Sequence, residues 1–191
     1  MSRPTNQRDA QKRATRGALA EAAIDLFTTK GFDETRVEDI AAAAGVTART
    51  FFLHFGSKEA AAFPDHDERV EALAEALASD ESEDPLPLLR SLIVLGVSAT
   101  SGSRIRAKRY RLFNDIEALR HRDVLGDLAY ERVIVDHLVA RSSGRSATDE
   151  FRARALAVTA MGIARSALTT WAHDPSFDPG DATAGALEEL R

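Results

Sequence analysis

The amino-acid sequence predicts an all-α protein, in which an N-terminal three-helix unit containing a helix-turn-helix is joined to a larger helical domain. Three observations carry this prediction. Apolar residues recur at i, i+3, i+4 and i+7 in one segment after another of the 191-residue chain. Between Thr35 and Lys58, two short periodic stretches meet at a single glycine, Gly45. Late in the chain Ala153, Ala157, Ala160, Ala164, Ala167 and Trp171 recur at alternating four- and three-residue steps, a heptad-like seam of small side chains.

Residues 10 to about 30 form the first long helix in this reading. Ala18, Leu19, Ala22, Ala23, Leu26 and Phe27 make its apolar stripe, and Gly31 after Lys30 ends it. Ahead of it, residues 1–9 form a basic arm that is not expected to fold alone. Arg3, Arg8, Lys12, Arg13 and Arg16 stand against Asp9 in the first 16 residues, five cations to one acid. Such a segment either follows phosphates or an adjacent minor groove, or it is a solubilising tail.

Thr35 and Glu38, three apart, read as a capping box that starts the first short helix. Val37, Ile40, Ala41 and Ala44 form its inner face. Gly45 stands where a helix end needs a left-handed residue, and Thr47 can cap the helix that follows. In that second helix Phe51 and Phe55 point inward, which leaves Ala48, Arg49 and Thr50 pointing away. A small, cationic and hydroxylated helix start suits a major groove: Arg makes bidentate contacts to guanine, and Thr reaches a base edge or a thymine methyl. Ser57, Lys58 and Glu59 open the next helix with a cap and an early carboxylate.

Composition bounds the function classes. With 44% hydrophobic and 29% charged residues, the chain is that of a soluble globular protein with a real core. Its longest apolar runs, such as Leu92 to Val97, are far shorter than the roughly 20 residues of a membrane span. No apolar segment near the N-terminus resembles a secretion signal, so a cytoplasmic location is expected. The absence of cysteine excludes disulfides, thiol catalysis and cysteine metal sites. The net charge of −5 argues against nucleic acid, yet residues 1–60 hold nine basic and eight acidic side chains, against 16 and 22 in the remainder. The acid lies in the body. No Gly-x-Gly-x-x-Gly, phosphate loop, Gly-x-Ser-x-Gly or His-Glu-x-x-His is present, and the five histidines are scattered, so no enzyme, cofactor or metal is expected.

The stretch LFTTKGFDETRVEDIAAAAGVTARTFFLHFGSKEAAAF resembles the N-terminal domain of the tetracycline-repressor (TetR) family of one-component regulators, over roughly residues 10 to 63. The resemblance implies that residues 10–63 bind DNA and that the body, residues 64–191, binds a small ligand and dimerises. Arg16, Thr35, Arg36, Thr47, Ala48, Arg49, Thr50, Phe52, His54 and Lys58 are the candidate DNA contacts, Lys58 matching a family lysine that meets the backbone. At Phe52 the family usually has a tyrosine whose hydroxyl bonds a phosphate. Here Phe52 either presses on a sugar or thymine methyl or belongs to the core.

Within the body, Pro64 breaks the preceding helix and Asp65 to Ser79 starts another. An acidic loop, SDESEDPLP, precedes a strongly apolar helix from Leu88 to Ser101. Arg104 to about Leu119 is basic first, with Arg104, Arg106, Lys108, Arg109 and Arg111 read as a solvated face, and then apolar. Tyr110, Phe113, Asn114 and Glu117 share one side of this helix, which is either a ligand cavity or a core helix with a polar shoulder. With Ile93, Val97 and Leu128 they are the candidate ligand-binding residues. Arg120 to Ser142 follows with Val124, Leu128, Val135, Leu138 and Val139 inward, and Thr148 caps a helix to about His173. A last short helix spans Asp178 to Arg191. By resemblance, Ala153, Ala157, Ala160, Ala164, Ala167 and Trp171 with Leu187 and Leu190 build a dimer interface. The implied mechanism is a homodimer on an inverted-repeat operator in double-stranded DNA, released when a hydrophobic or acyl-type effector changes the spacing of its two recognition helices. The body resembles regulators of high-GC, actinobacterial type, in keeping with 21 arginines among 25 cationic residues. The competing reading is a helical adaptor that has lost DNA contact.

Overall fold

The computed structural model describes residues 7–102, 104–142, 144 and 146–189, without the side chains of Arg104 and Asn114. Among the described residues the helices are α1 (Gln7–Thr29), α2 (Val37–Ala43), α3 (Ala48–His54), α4 (Lys58–Ala61), α5 (His66–Ala78), α6 (Leu86–Ser101), α7 (Arg104–Asp115), α8 (Glu117–Arg141), α9 (Ala147–His173) and α10 (Pro179–Glu189). The chain divides into two compact units. One is the chain up to Pro64 together with Leu112–Arg122, and the other is Asp65–Arg111 with Asp123–Arg191. The sequence assigned 112–122 to the body.

In the first unit, α1 begins at Gln7, so Arg8 and Asp9 are helical rather than part of an arm; residues 1–6, with Arg3, lie outside the described residues. Its buried stripe is Leu19, Ala20, Ala23, Ile24 and Phe27, while Ala18 is exposed. The expected stripe was displaced because a run of alanines makes several registers look equally apolar. Gly31 (φ 94°) and Gly45 (φ 71°) both take the left-handed backbone that other residues enter only at a cost. The first lets the chain leave α1, and the second turns α2 into α3. Leu19, Ile24, Ile40 and Phe51 are fully buried, each contributing about 1.5–3 kcal/mol of burial. Phe63 stacks on Phe113 at 5.6 Å.

The start of α2 differs from expectation. Arg36 is the cap position, and its N–H donates to Asp39 Oδ2 at 3.0 Å, while Lys30 pairs with the same carboxylate at 2.5 Å. Thr35 is 1% exposed and its hydroxyl donates to the Gly31 carbonyl at 2.6 Å, so it braces the α1–α2 turn instead of capping.

The second unit is built on α6, α9 and α10, which pack on one another. Leu89, Ile93, Val97 and Thr100 of α6 and Thr183 and Leu187 of α10 are buried. Against them lies the alanine seam: Ala153, Ala157, Ala160, Ala164 and Ala167 are all at most 7% exposed within the single chain. The sequence assigned this seam to a dimer, but small side chains let α9 approach helices of its own chain. Leu187 is likewise internal, Trp171 is half-buried and Leu190 lies outside the described residues. At Gly180 a Cβ would stand 2.5 Å from Ser98 Oγ, so α10 comes close to α6 where α10 begins. The cap of α9 is Ser146, not Thr148: Asp149 N–H donates to Ser146 Oγ (3.2 Å) and Ser146 N–H to Asp149 Oδ2 (3.0 Å).

The internal position of the seam has a direct test. Ala157→Leu, at a site with no exposure, will lower stability by about 1–3 kcal/mol in urea denaturation through overpacking, whatever the protein concentration. A strong concentration dependence of the loss would place the seam between copies instead.

Candidate nucleic-acid interface and polar interior

The turn that presents α3 is closed locally. Val46 N–H donates to Ala41 O at 2.9 Å and Gly45 N–H to Ala42 O at 3.1 Å. Thr47 then caps α3 by accepting the Thr50 N–H at 3.1 Å, and its hydroxyl also meets that of Thr50 at 3.0 Å. Phe51 and Phe55 anchor the inner face, 0% and 4% exposed. The outer face carries Arg49, Phe52 and Leu53, which share one side at i, i+3, i+4 and are all exposed. Thr47 is exposed beside them, Ala48 and Thr50 are half-buried, and Arg36 is exposed at the start of α2. Phe52 is therefore not core.

Three other candidates hold the unit together rather than face outward. Arg16 donates to the His54 carbonyl at 2.7 Å and the Pro64 carbonyl at 2.9 Å, with its guanidinium 4.5 Å over the Phe55 ring. Lys58 donates to the carbonyls of Phe32 (2.6 Å) and Thr35 (3.1 Å) and sits 4.1 Å over the Phe32 ring. Thr35 is buried, as described. His54 is half-buried, and burial followed by the charges of Arg16 and Lys12 holds its imidazole below the ordinary value. The charged form of the imidazole is thus disfavoured in the free protein.

The expected ligand stripe does not persist as one surface. Ile116 interrupts the helix, so Glu117 belongs to α8, where it is exposed. Phe113 is taken up by Phe63 in the first unit, and the Asn114 side chain lies outside the described residues. Leu128 is 55% exposed, whereas Ile93, Val97 and Tyr110 are buried in the second unit. Part of the basic run of α7 turns inward, while Lys108 and Arg111 stay exposed. Arg106 pairs with Asp65 and donates to Ala99 O at 3.0 Å, Arg109 is 5% exposed, and Arg111 donates to Ala172 O at 2.6 Å.

Arg106 and Arg109 belong to a partly buried polar cluster in the second unit that the sequence reading missed. Asp127 of α8, 9% exposed, pairs with Arg165 of α9 at 2.5 Å. Burial, and then the charge of Asp123 one turn away, push Asp127 up to about 7 despite Arg165. Asp123 is also raised, by burial, with Arg109 and Arg165 opposing. Burial carries the Tyr110 hydroxyl up to about 12. His66 meets Tyr130 edge-on at 5.4 Å, and its ring stands 3.1 Å from where a Cβ on Gly126 would be. The available signal was the spacing of Asp123, Asp127, Tyr130 and Ile134, one helix face at i, i+4, i+7, i+11. Reading apolar residues as inward selected Val124 and Leu128, which lie on the exposed side with Leu125.

A raised acid makes the folded state hold a proton that the unfolded chain has already lost between 3.8 and about 7. Stability in this window therefore falls as pH rises, and the native state is least penalised at the acid end. Asp127→Asn will flatten that slope, as measured by urea midpoints between about pH 4.5 and 7.5. An unchanged slope would mean that Asp127 is ionised throughout.

Residues 19–60 match the family described as "Bacterial regulatory proteins, tetR family", and residues 103–191 match the "MftR C-terminal domain". MftR of Mycobacterium tuberculosis, described as a mycofactocin biosynthesis transcriptional regulator, is 28% identical over 188 residues, covering 97% of this chain and 94% of the relative. The structure of NalD, the secondary repressor of the MexAB-OprM multidrug efflux pump in Pseudomonas aeruginosa, superposes with a TM-score of 0.63 at 25% identity, covering 94% of this chain and 95% of that one. Thermus thermophilus FadR, a transcriptional repressor in complex with lauroyl-CoA, gives 0.62 at 24% identity and covers 92% of each chain. With an α3 that exposes Arg49 from a capped helix-turn-helix, residues 19–60 form a DNA-binding domain of the tetR family, and the chain is a DNA-binding transcriptional regulator.

Proposed function

We propose that this regulator is a cytoplasmic homodimer that represses transcription from an inverted-repeat operator and is released by a small hydrophobic or acyl-type effector. The observation that carries the reading is the outer face of α3, where Arg49 is exposed on a helix whose other side is anchored by Phe51 and Phe55. Arg49 is the candidate for guanine, with Thr47, Ala48, Thr50 and Arg36 as neighbouring contacts to bases and phosphates. Arg16, Thr35 and Lys58 take the role of positioning α3.

Dimerisation follows from the small reach of a seven-residue helix, which covers few base pairs. Specific reading requires a second copy about 34 Å away, one helical turn along the duplex. The side chains offered for that contact are Val124, Leu125 and Leu128 on α8 and Phe151 and Val158 on one face of α9, all at least 41% exposed. An apolar surface of this kind favours burial. The effector is assigned to the second unit, where Ile93, Val97 and Tyr110 supply apolar surface and Arg109 and Arg165 supply charge for an ester or acid head group. The lauroyl-CoA held by the Thermus FadR supports an acyl thioester as the first compound to test. Among the described residues no single helix is long and apolar enough to cross a membrane.

The first experiment is binding of the purified protein to DNA from upstream of its own gene across salt concentration, with a scrambled duplex as control. Tight, specific and salt-dependent binding is expected, and Arg49→Ala will cost about 1–3 kcal/mol of operator affinity. Equal binding of the scrambled duplex would move the adaptor reading to the front. For the dimer, Leu128→Glu will convert the sedimenting species to a folded monomer. If it leaves the dimer intact, the interface lies on another face.

A further inference from the structure

We infer that Phe52 and Leu53 are specificity-determining residues that read thymine 5-methyl groups in the operator's major groove. The inference rests on the reading of α3 as the recognition helix. Among the described residues of the first unit, Phe52 (57% exposed) and Leu53 (74%) are the large hydrophobic side chains left substantially exposed, and both stand on this one seven-residue helix. Every other large apolar side chain among the described residues of the unit is at least half-buried. Two adjacent apolar groups stand largely in water beside Arg49, where most of their surface is unburied in the free protein.

The chemistry narrows what they meet. Neither side chain has a donor or acceptor, so neither bonds a phosphate or the polar edge of a base. The apolar feature that base pairs present in the major groove is the C5-methyl of thymine. Phe52 is also held in place: its ring meets Phe51 edge-on at 5.5 Å and 85°, and Phe51 is fully buried in the core. A braced ring presses on a methyl group without further loss of side-chain freedom. Arg49, on the same face, remains available for guanine or phosphate, so the helix combines polar and apolar readout at neighbouring positions.

The test uses the full-length protein and a duplex selected from a random pool for tight binding. Each thymidine of one half-site is replaced in turn by deoxyuridine, which pairs identically but lacks the methyl group. At one or two positions per half-site the wild type will bind about fourfold more weakly, the expected loss for one buried methyl. At those positions Phe52→Ala or Leu53→Ala will bind the two duplexes equally. Both residues are exposed, and the wild-type comparison does not depend on either variant folding. Binding that is indifferent to every replacement would overturn the inference while leaving DNA recognition intact. So would a methyl dependence that persists in both variants, since another group or the shape of the duplex would then be the reader. If no duplex is enriched from the pool, the reading of α3 itself fails, and this inference fails with it.

Discussion

A seven-residue helix has almost no stability of its own, because nucleation costs more than so few hydrogen bonds return. The presentation of α3 therefore depends on burial of Phe51 and Phe55, and on Gly45 taking a left-handed conformation so that the chain can deliver them to the core. The same two anchors orient the opposite side. With Phe51 and Phe55 inside, helix geometry leaves Arg49, Phe52 and Leu53 facing water. The surface proposed to meet DNA is thus a consequence of the packing behind it.

Around that anchor the first unit spends its cations on backbone carbonyls. Arg16 joins the last residue of α3 and Pro64 to α1, and Lys58 closes the turn between α1 and α2 by bonding Phe32 and Thr35. Carbonyls at helix ends and in turns lack partners within the helix, and charged donors satisfy them with stronger bonds than neutral ones. A residue that matches a family DNA contact by position can therefore act one step behind the interface. Its role in the structure is to place α3.

The second unit combines two kinds of interior. Alanines let α6, α9 and α10 pack closely, which fixes a dry core. Alongside runs a polar band in which Asp65 meets Arg106 and Asp127 meets Arg165, with Asp123, Arg109 and Tyr110 in the same electrostatic field. These pairs are partly buried, and ion pairs withdrawn from water gain little net stability over apolar packing, because desolvation offsets most of the attraction. What they add is a set of charges whose balance shifts with protonation, in the unit to which the effector is assigned.

By itself the sequence determined the helical class, the family, and the local devices of the helix-turn-helix, because each is encoded within a few neighbouring residues. Gly31, Gly45, Thr47 and Ser57 perform as their chemistry requires. Tertiary structure alone decided which surface each helix spends on its own chain. The alanine seam had two possible partners, another copy or α6 and α10, and periodicity is the same for both. On α8 the apolar residues Val124, Leu125 and Leu128 are exposed while Asp127 is buried, because arginines from α7 and α9 make a charged interior tolerable. Arg16 and Lys58 illustrate the same limit, since their carbonyl partners lie 23 to 48 residues away. Spacing along a helix records which side chains share a face, but what that face meets is a property of the folded chain.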